Sequence, residues 1–284
     1  MTGKVFTPQA QARLAALYPE TPGKLSHCLL DNDLLGLEAL VDLAASLPPA
    51  SVEYNPGNLP IGIDPADVPS PALSPAETVR SIEANGSWMV LKRIEQSPAY
   101  AALLHDTLAE IAPLVKSRTG AMLGSEGFIF ISSPGSVTPF HFDPEHNILL
   151  QIRGSKTMTV FPADDEALVS PEAHEAFHLG EHHRNQPWRD EFAPKGQAIT
   201  ITPGEAIHVP VKAPHWVKNG PEVSISLSIT WRSEWSYAEA DARAFNHLLR
   251  GMGMKPGSPK RYPGRNLGKS MAARVVRKVR QLTG

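Results

Sequence analysis

Two imidazoles and one carboxylate stand at spacings that would let them meet on a single ion. In Ser136-Val-Thr-Pro-Phe-His-Phe-Asp-Pro-Glu-His-Asn147, His141 and Asp143 are two residues apart in a run that reads as a strand. The strand period of two turns both side chains to one face. A third donor is available at His215, in Pro203-Gly-Glu-Ala-Ile-His-Val-Pro-Val-Lys-Ala-Pro-His-Trp-Val217, where a Pro-Gly turn precedes a short strand and a second turn. Two histidines and a carboxylate with the other positions open suit non-haem Fe(II) oxygen chemistry, and zinc accepts the same donors, usually in a tetrahedral site. An H-x-D pair alone is weak evidence. Its plain alternative is a half-buried strand histidine bonded to Asp143, with His215 a surface turn residue. The single cysteine, Cys28, leaves no internal disulfide and no zinc site built on several thiolates, so any metal must use His and carboxylate.

The elements that must position these residues lie from residue 120 onward. Strand-like runs cover 127–132, 138–142, 147–152, 157–161, 198–202, 207–209 and 223–231, most of them separated by Gly or Pro. Many short strands at such spacing predict a mainly β fold with added helices, its core an antiparallel jelly roll with a site inside. The polar, His-rich stretch 164–194 reads as an insertion between strands, a mobile lid over the site mouth. It carries His174, His178, His182 and His183, and it lacks the partner ligands that would close a structural metal site.

Before residue 120 the texture is helical, with apolar periodicity over 8–17 and 34–47. Ser74-Pro75-Ala76-Glu77 is a capping box opening a short helix, and Ser97-Pro98 opens a longer one to about Val115. Between Pro48 and Pro75 eight prolines in 28 residues predict an extended surface connection. The expected organisation is a helical region 1–119 packed outside the core and giving it no metal ligand, a β core 120–236, and C-terminal helices 237–284.

Charge divides the 284 residues unevenly. Lys255 to Gly284 holds nine basic and no acidic residues, which leaves 18 basic against 29 acidic in the first 254, a balance of -11. Within the tail, Leu267, Met271, Val275, Val279 and Leu282 form an amphipathic stripe expected to dock on the body or on a second subunit, as in a homodimer. Nucleic-acid contact through the basic residues is the competing expectation. No apolar run is long enough to cross a bilayer, and the N-terminus lacks an apolar leader core, so a cytoplasmic location is expected.

Taken jointly, Gly135 to Asn147, Gln151-Ile-Arg-Gly-Ser-Lys156, Phe161-Pro162, Pro203-Gly-Glu and Pro214-His215-Trp216 resemble the JmjC and cupin-like 2-oxoglutarate oxygenases. Asparaginyl hydroxylases of the type that inhibits the hypoxia-inducible factor are the nearest likeness. The resemblance spans roughly Phe128 to Trp231 and implies a double-stranded β-helix. It implies that His141, Asp143 and His215 bind Fe(II), that Lys156 pairs with the distal carboxylate of 2-oxoglutarate, and that Thr138 and Asn147 assist. On the closing strand that type of hydroxylase uses an amide where this chain offers Ile229 or Thr230. The activity it implies is hydroxylation of a protein, peptide or RNA-associated substrate, coupled to decarboxylation of 2-oxoglutarate to succinate. The alternative is a non-catalytic cupin-like regulatory or ligand-binding module whose basic tail contacts nucleic acid.

Overall fold

The computed structural model describes residues 4–56, 61, 73–180 and 184–283. Two antiparallel sheets face each other. The smaller contains β5 (Val137–His141), β7 (Lys156–Val160), β8 (Gln197–Ile201) and β10 (His215–Asn219), in the order β5-β10-β7-β8. The larger contains β1 (Gly23–Ser26), β2 (Val52–Pro56), β3 (Ser87–Lys92), β4 (Met122–Ser132), β6 (His146–Arg153), β9 (Glu205–Val209) and β11 (Ser224–Ser233), in the order β1-β9-β6-β11-β4-β3-β2. From β4 onward most successive strands change sheets, which closes the jelly-roll core that the strand spacing predicted.

Residue alternation explains the closure. On β11, Ile225, Leu227, Ile229 and Trp231 turn outward into the main apolar core, under the N-terminal helices. Ser224, Ser226, Ser228 and Thr230 turn the other way. Ser228 stands opposite Leu149, which belongs to the inner cluster with Met158, Val160 and Val217 of the smaller sheet. An alternating serine row normally faces water, but here helices cover one face and the second sheet covers the other, so the strand is buried on both.

All seven expected strand runs occur, within a few residues of their expected bounds except that β4 starts earlier, at Met122. The N-terminal region departs from expectation, because it supplies three strands as well as helices: β1 pairs with β9, β3 with β4, and β2 with β3. Strand β2 lies inside the proline-dense stretch and is tolerated there as the sheet edge. The rest of that connection lies largely outside the described residues. The signal for β3 was the apolar run Trp88-Met-Val-Leu91 before a polar residue.

Helices α1 (Pro8–Leu17), α2 (Leu37–Ser46) and α3 (Pro75–Arg80) form where expected, α3 with its complete Ser74–Glu77 capping box. The long helix expected from Pro98 is two, α4 (Pro98–Ala109) and α5 (Ala112–Thr119), because Pro113 cannot donate within a continuing helix and instead opens the second. The insertion is packed rather than a loose lid. Its helix α6 (Pro171–Phe177) is tied by Glu172 and Glu175 to Arg250 of α7 (Glu234–Gly251).

The tail forms the expected helix, α8 (Leu267–Thr283), but it docks by the opposite face. Ser270 and Ala273 are buried against α7. Asp241 of α7 accepts hydrogen bonds from Ser270 Oγ (3.1 Å), Arg274 Nε (2.8 Å) and Arg277 Nη2 (2.6 Å). The apolar stripe is turned to the outside, with Leu267, Met271, Val275, Val279 and Leu282 all more than half exposed. The cause is the surface offered by α7, a carboxylate and the Asn246 amide rather than an apolar seat. No helix among the described residues is long and apolar enough to cross a membrane.

Asp241→Ala should therefore loosen α8 without unfolding the core. Because Arg274 and Arg277 are themselves more than half exposed, the loss in urea denaturation is expected at no more than about 1 kcal/mol, with hydrogen exchange rising selectively over residues 267–283.

Candidate metal centre

Strand register brings the two histidines together. β5 and β10 pair antiparallel with His141 opposite His215, so their rings lie 4.2 Å apart between centroids. His215 is thus the first residue of a strand, where a turn was expected. The run His215-Trp-Val-Lys-Asn219 is short and half polar, which left little sequence signal for β10. β5 tolerates Pro139 because it is the edge of its sheet. Asp143 lies just beyond the end of β5 rather than within it. Its backbone carbonyl accepts from Lys212 N–H (2.8 Å), which fixes the post-strand residues against the turn that leads into His215. A buried charge pair anchors that turn: the Lys212 ammonium meets the Glu239 carboxylate of α7, which Arg243 shares.

Both rings are oriented the same way. His141 Nδ1 lies 2.7 Å from Pro139 O and His215 Nδ1 lies 2.9 Å from Ala213 O. A carbonyl only accepts, so each Nδ1 carries the proton and each Nε2 presents a lone pair. Those lone pairs face Asp143 Oδ2 at 3.8 Å from His141 and 3.7 Å from His215. The gaps are too long for hydrogen bonds, yet short enough for one ion with bonds of about 2 Å to reach both sides. Within the described residues this is the group of His, Cys, Asp and Glu side chains able to hold a metal, its donor atoms all within 4.8 Å of one another. No described residue before position 120 joins it.

The electrostatics suit a cation. Burial pushes His141 down to about 4, so the ring is neutral at ordinary pH. Burial works against the charge on Asp143, while the adjacent Arg184 guanidinium favours it, and the carboxyl is held below its usual range. Arg184 Nη1 bonds Asp143 Oδ1 at 2.7 Å. Glu145 is raised to about 7, first by burial and then by the Asp143 charge. Sequence reasoning passed over both residues. Glu145 lies two positions beyond Asp143 and was within reach of it, whereas Arg184 sits 41 residues away in the insertion.

Deeper in the barrel stands Lys156. It comes after the tight turn Gly154-Ser155, where Gly154 has φ +63° and a Cβ would meet the Val223 carbonyl at 2.3 Å. The side chain is buried, 5.8 Å over the Phe130 ring, and desolvation lowers it to about 7. Among the described residues no hydrogen bond or ion pair satisfies the ammonium. Asn219 of β10, opposite Lys156 in the register, donates its amide N–H groups to Ser136, and its buried Oδ1 has no hydrogen-bond partner among the described residues. Asn147 and Thr138 share this interior: Asn147 Oδ1 accepts from Ser228 Oγ at 2.9 Å, and Thr138 stands opposite inward-facing Val217. An irregularity between the His215 and Val217 pairings keeps Thr138 and His141 on one face despite their odd spacing. On the closing strand the inward residues are Ser228 and Thr230, while Ile229 belongs to the outer core.

Of the other histidines, His146 is structural. Its ring stacks on Trp231 at 5.4 Å and its Nε2 bonds Ser233 Oγ. His174 packs edge-on against Phe142, and His182 and His183 lie outside the described residues.

The cupin-like domain family matches residues 77–237, more than half of the chain. The chain belongs to that family. Jumonji C domain-containing protein 5 of Drosophila melanogaster is 28% identical over 111 residues, covering 36% of this chain and 26% of that protein. Lysine-specific demethylase 8 of Xenopus tropicalis is 29% identical over 102 residues, covering 34% and 23%. The chain therefore spans about a quarter of the length of these relatives. Among solved structures, Escherichia coli ycfD superposes with TM-score 0.55 at 14% identity over 99% of this chain and 69% of that one. Its complex with cobalt and 2-oxoglutarate, described as a ribosomal oxygenase, gives 0.50 at 15%, covering 98% and 67%. At such identity these structures establish the shared fold.

His141→Ala and His215→Ala are each expected to abolish Co(II) binding in calorimetry, because one donor fewer leaves an incomplete set. Circular dichroism should remain that of the parent, since the strands holding these residues keep their partners.

Proposed function

We propose that the protein is an Fe(II)- and 2-oxoglutarate-dependent oxygenase that hydroxylates a protein or peptide substrate, RNA-associated substrates included. The observation that carries this reading is a pair of unmatched features in the interior: three lone-pair donors converging with no hydrogen between them, and a buried lysine without a counter-ion among the described residues. A divalent cation answers the first and a dicarboxylate the second. Lys156 lies four residues along β7 from Val160, which stands opposite His215. That is about 13 Å of strand, a distance that a five-carbon dicarboxylate and an extended lysine side chain bridge together.

In this reading His141, Asp143 and His215 hold the iron and leave its other positions open. The bound metal and cosubstrate supply the oxidising chemistry, with 2-oxoglutarate decarboxylated to succinate. The chain's own residues do the positioning. Pro139 O and Ala213 O keep the Nε2 lone pairs aimed inward. Lys156 carries the proton that matches the distal carboxylate, Thr138 and Asn147 offer it hydrogen bonds, and Ser228 fixes the Asn147 amide so that its N–H donors face the ligand. Apolar walls from Phe130, Leu149 and Val217 exclude water from these charges. The fold neighbour described as a ribosomal oxygenase, and relatives named for a Jumonji C domain and for lysine demethylation, support a proteinaceous substrate over a small metabolite.

The same reading gives the stripe of α8 to a second copy of this chain, in the cytoplasm. Four of the nine tail cations, Arg261, Lys269, Arg274 and Arg277, are already engaged with this chain's own Glu20, Asn246 and Asp241, which weighs against a nucleic-acid arm. An antiparallel helix pair also sets Lys278 and Arg280 of one copy toward the Leu267 end of the other, where exposed Glu234 lines the adjoining cavity. Val275→Asp should convert the dimer to a monomer in analytical ultracentrifugation. A parent that is monomeric and binds RNA in a salt-dependent way would favour the arm instead.

Anaerobic titration with Fe(II) and then 2-oxoglutarate, with succinate detection on admitting oxygen, tests the activity, and absence of binding of either would end it. Lys156→Ala should weaken 2-oxoglutarate at least tenfold while leaving Co(II) affinity near that of the parent. The lysine also sets a pH dependence. With the ammonium lowered to about 7, it is neutral above that pH in the empty site and must take up a proton to bind the dianion. Affinity should fall about tenfold per pH unit above 7, with one proton taken up per binding event, measured by calorimetry in buffers of different ionisation enthalpy.

A further inference from the structure

The two oxygens of Asp143 are divided between different partners. Oδ2 faces His141 Nε2 and His215 Nε2, while Oδ1 accepts from Arg184 Nη1 at 2.7 Å. Arg184 comes from the insertion between β7 and β8, and its backbone is laid along the outer edge of β5. Phe142 N–H donates to Arg184 O (3.3 Å), Gln186 N–H donates to Phe140 O (2.9 Å), and Asn185 bridges His141. The residues after Gln186 are seated on an aromatic cluster in which Trp188 meets Phe140 at 5.4 Å and Phe161 at 5.8 Å. The guanidinium therefore reaches Asp143 from a strap whose backbone is held at several points.

The Asp143 carbonyl is already pinned by Lys212 N–H, so what remains free is rotation of the carboxylate. We propose that Arg184 is a positioning residue that removes this freedom and restricts Asp143 to presenting Oδ2 alone to the metal. An ionised carboxylate offers two oxygens and can bind an ion through both. A second Asp143 oxygen on the ion would take a position that the cosubstrate needs. A charge-assisted bond to Oδ1 prevents that turn, and a guanidinium holds such a bond in a fixed direction. Arg184 thus makes cosubstrate access depend on how the insertion is laid along β5, which links a segment remote in sequence to the open face of the metal. The inference rests on the metal and 2-oxoglutarate reading given above.

The test uses the full chain loaded with Co(II), comparing the parent with Arg184→Ala and Arg184→Lys. In Arg184→Ala the visible ligand-field spectrum of Co(II) should change in intensity and position, because the donor set changes, and 2-oxoglutarate affinity should fall tenfold or more in calorimetry, the scale of effect typical for groups that orient metal ligands. Arg184→Lys keeps a cationic donor and should restore most of the parent spectrum. Hydrogen exchange at Phe142 and Gln186 separates loosening of the strap from the effect on the carboxylate. A purely structural role for Arg184 would raise exchange there and leave the Co(II) spectrum as in the parent. An unchanged spectrum with unchanged 2-oxoglutarate affinity overturns the proposal. Failure of the parent itself to bind Co(II), or retention of Co(II) by His215→Ala, would instead remove the metal reading and this inference with it.

Discussion

The antiparallel pairing of β5 with β10 is the constraint on which the site depends. Placing His141 opposite His215 sets two imidazoles side by side through backbone hydrogen bonds alone, before any side chain has been oriented. Local contacts then refine that juxtaposition. The Pro139 and Ala213 carbonyls choose the tautomer, and the Lys212 amide fixes Asp143 just past the strand end. Each of these partners lies within a few residues of a metal-site residue, in sequence or across the turn before β10, so the site is stiff without a dedicated scaffold around each ligand.

Burial does the electrostatic work. In an interior closed by two sheets, every charge needs a partner or a changed protonation state. Lys212, Glu239 and Arg243 resolve this among themselves and tie the turn before His215 to α7. Asp143 is resolved by Arg184. Lys156 is resolved by no residue of the chain that the structure describes, and its lowered affinity for a proton comes from desolvation. The contrast between the settled cluster and the unsettled lysine is what the proposed 2-oxoglutarate site rests on.

The insertion and the tail obey the same logic on the outside. Each is a segment whose charged residues find specific partners on α7, Glu172 and Glu175 of the insertion on Arg250, and Arg274 and Arg277 of the tail on Asp241. In α8 that pairing decides which face docks, and the apolar stripe is left outward as a consequence. Hydrophobic periodicity reports that a helix has an apolar face. It does not report whether the neighbouring surface offers that face a seat.

The sequence by itself determined the local facts. The His141–Asp143 spacing, the tight turn before Lys156, the caps at Ser74 and the alternation along β11 are all properties of a few adjacent residues, and each was legible because strand and helix periods act over that range. The resemblance carried by the joined motifs also pointed to His215, Thr138 and Asn147. Only tertiary structure decided the rest. That His215 begins a strand opposite His141, that the serine row of β11 faces inward while Ile229 does not, that the N-terminal region lengthens the larger sheet, and that Arg184 reaches Asp143 across 41 residues are pairings between distant segments. Such pairings are set by closure of the whole barrel and by what each exposed edge or carboxylate finds beside it, and no short window of sequence contains both partners.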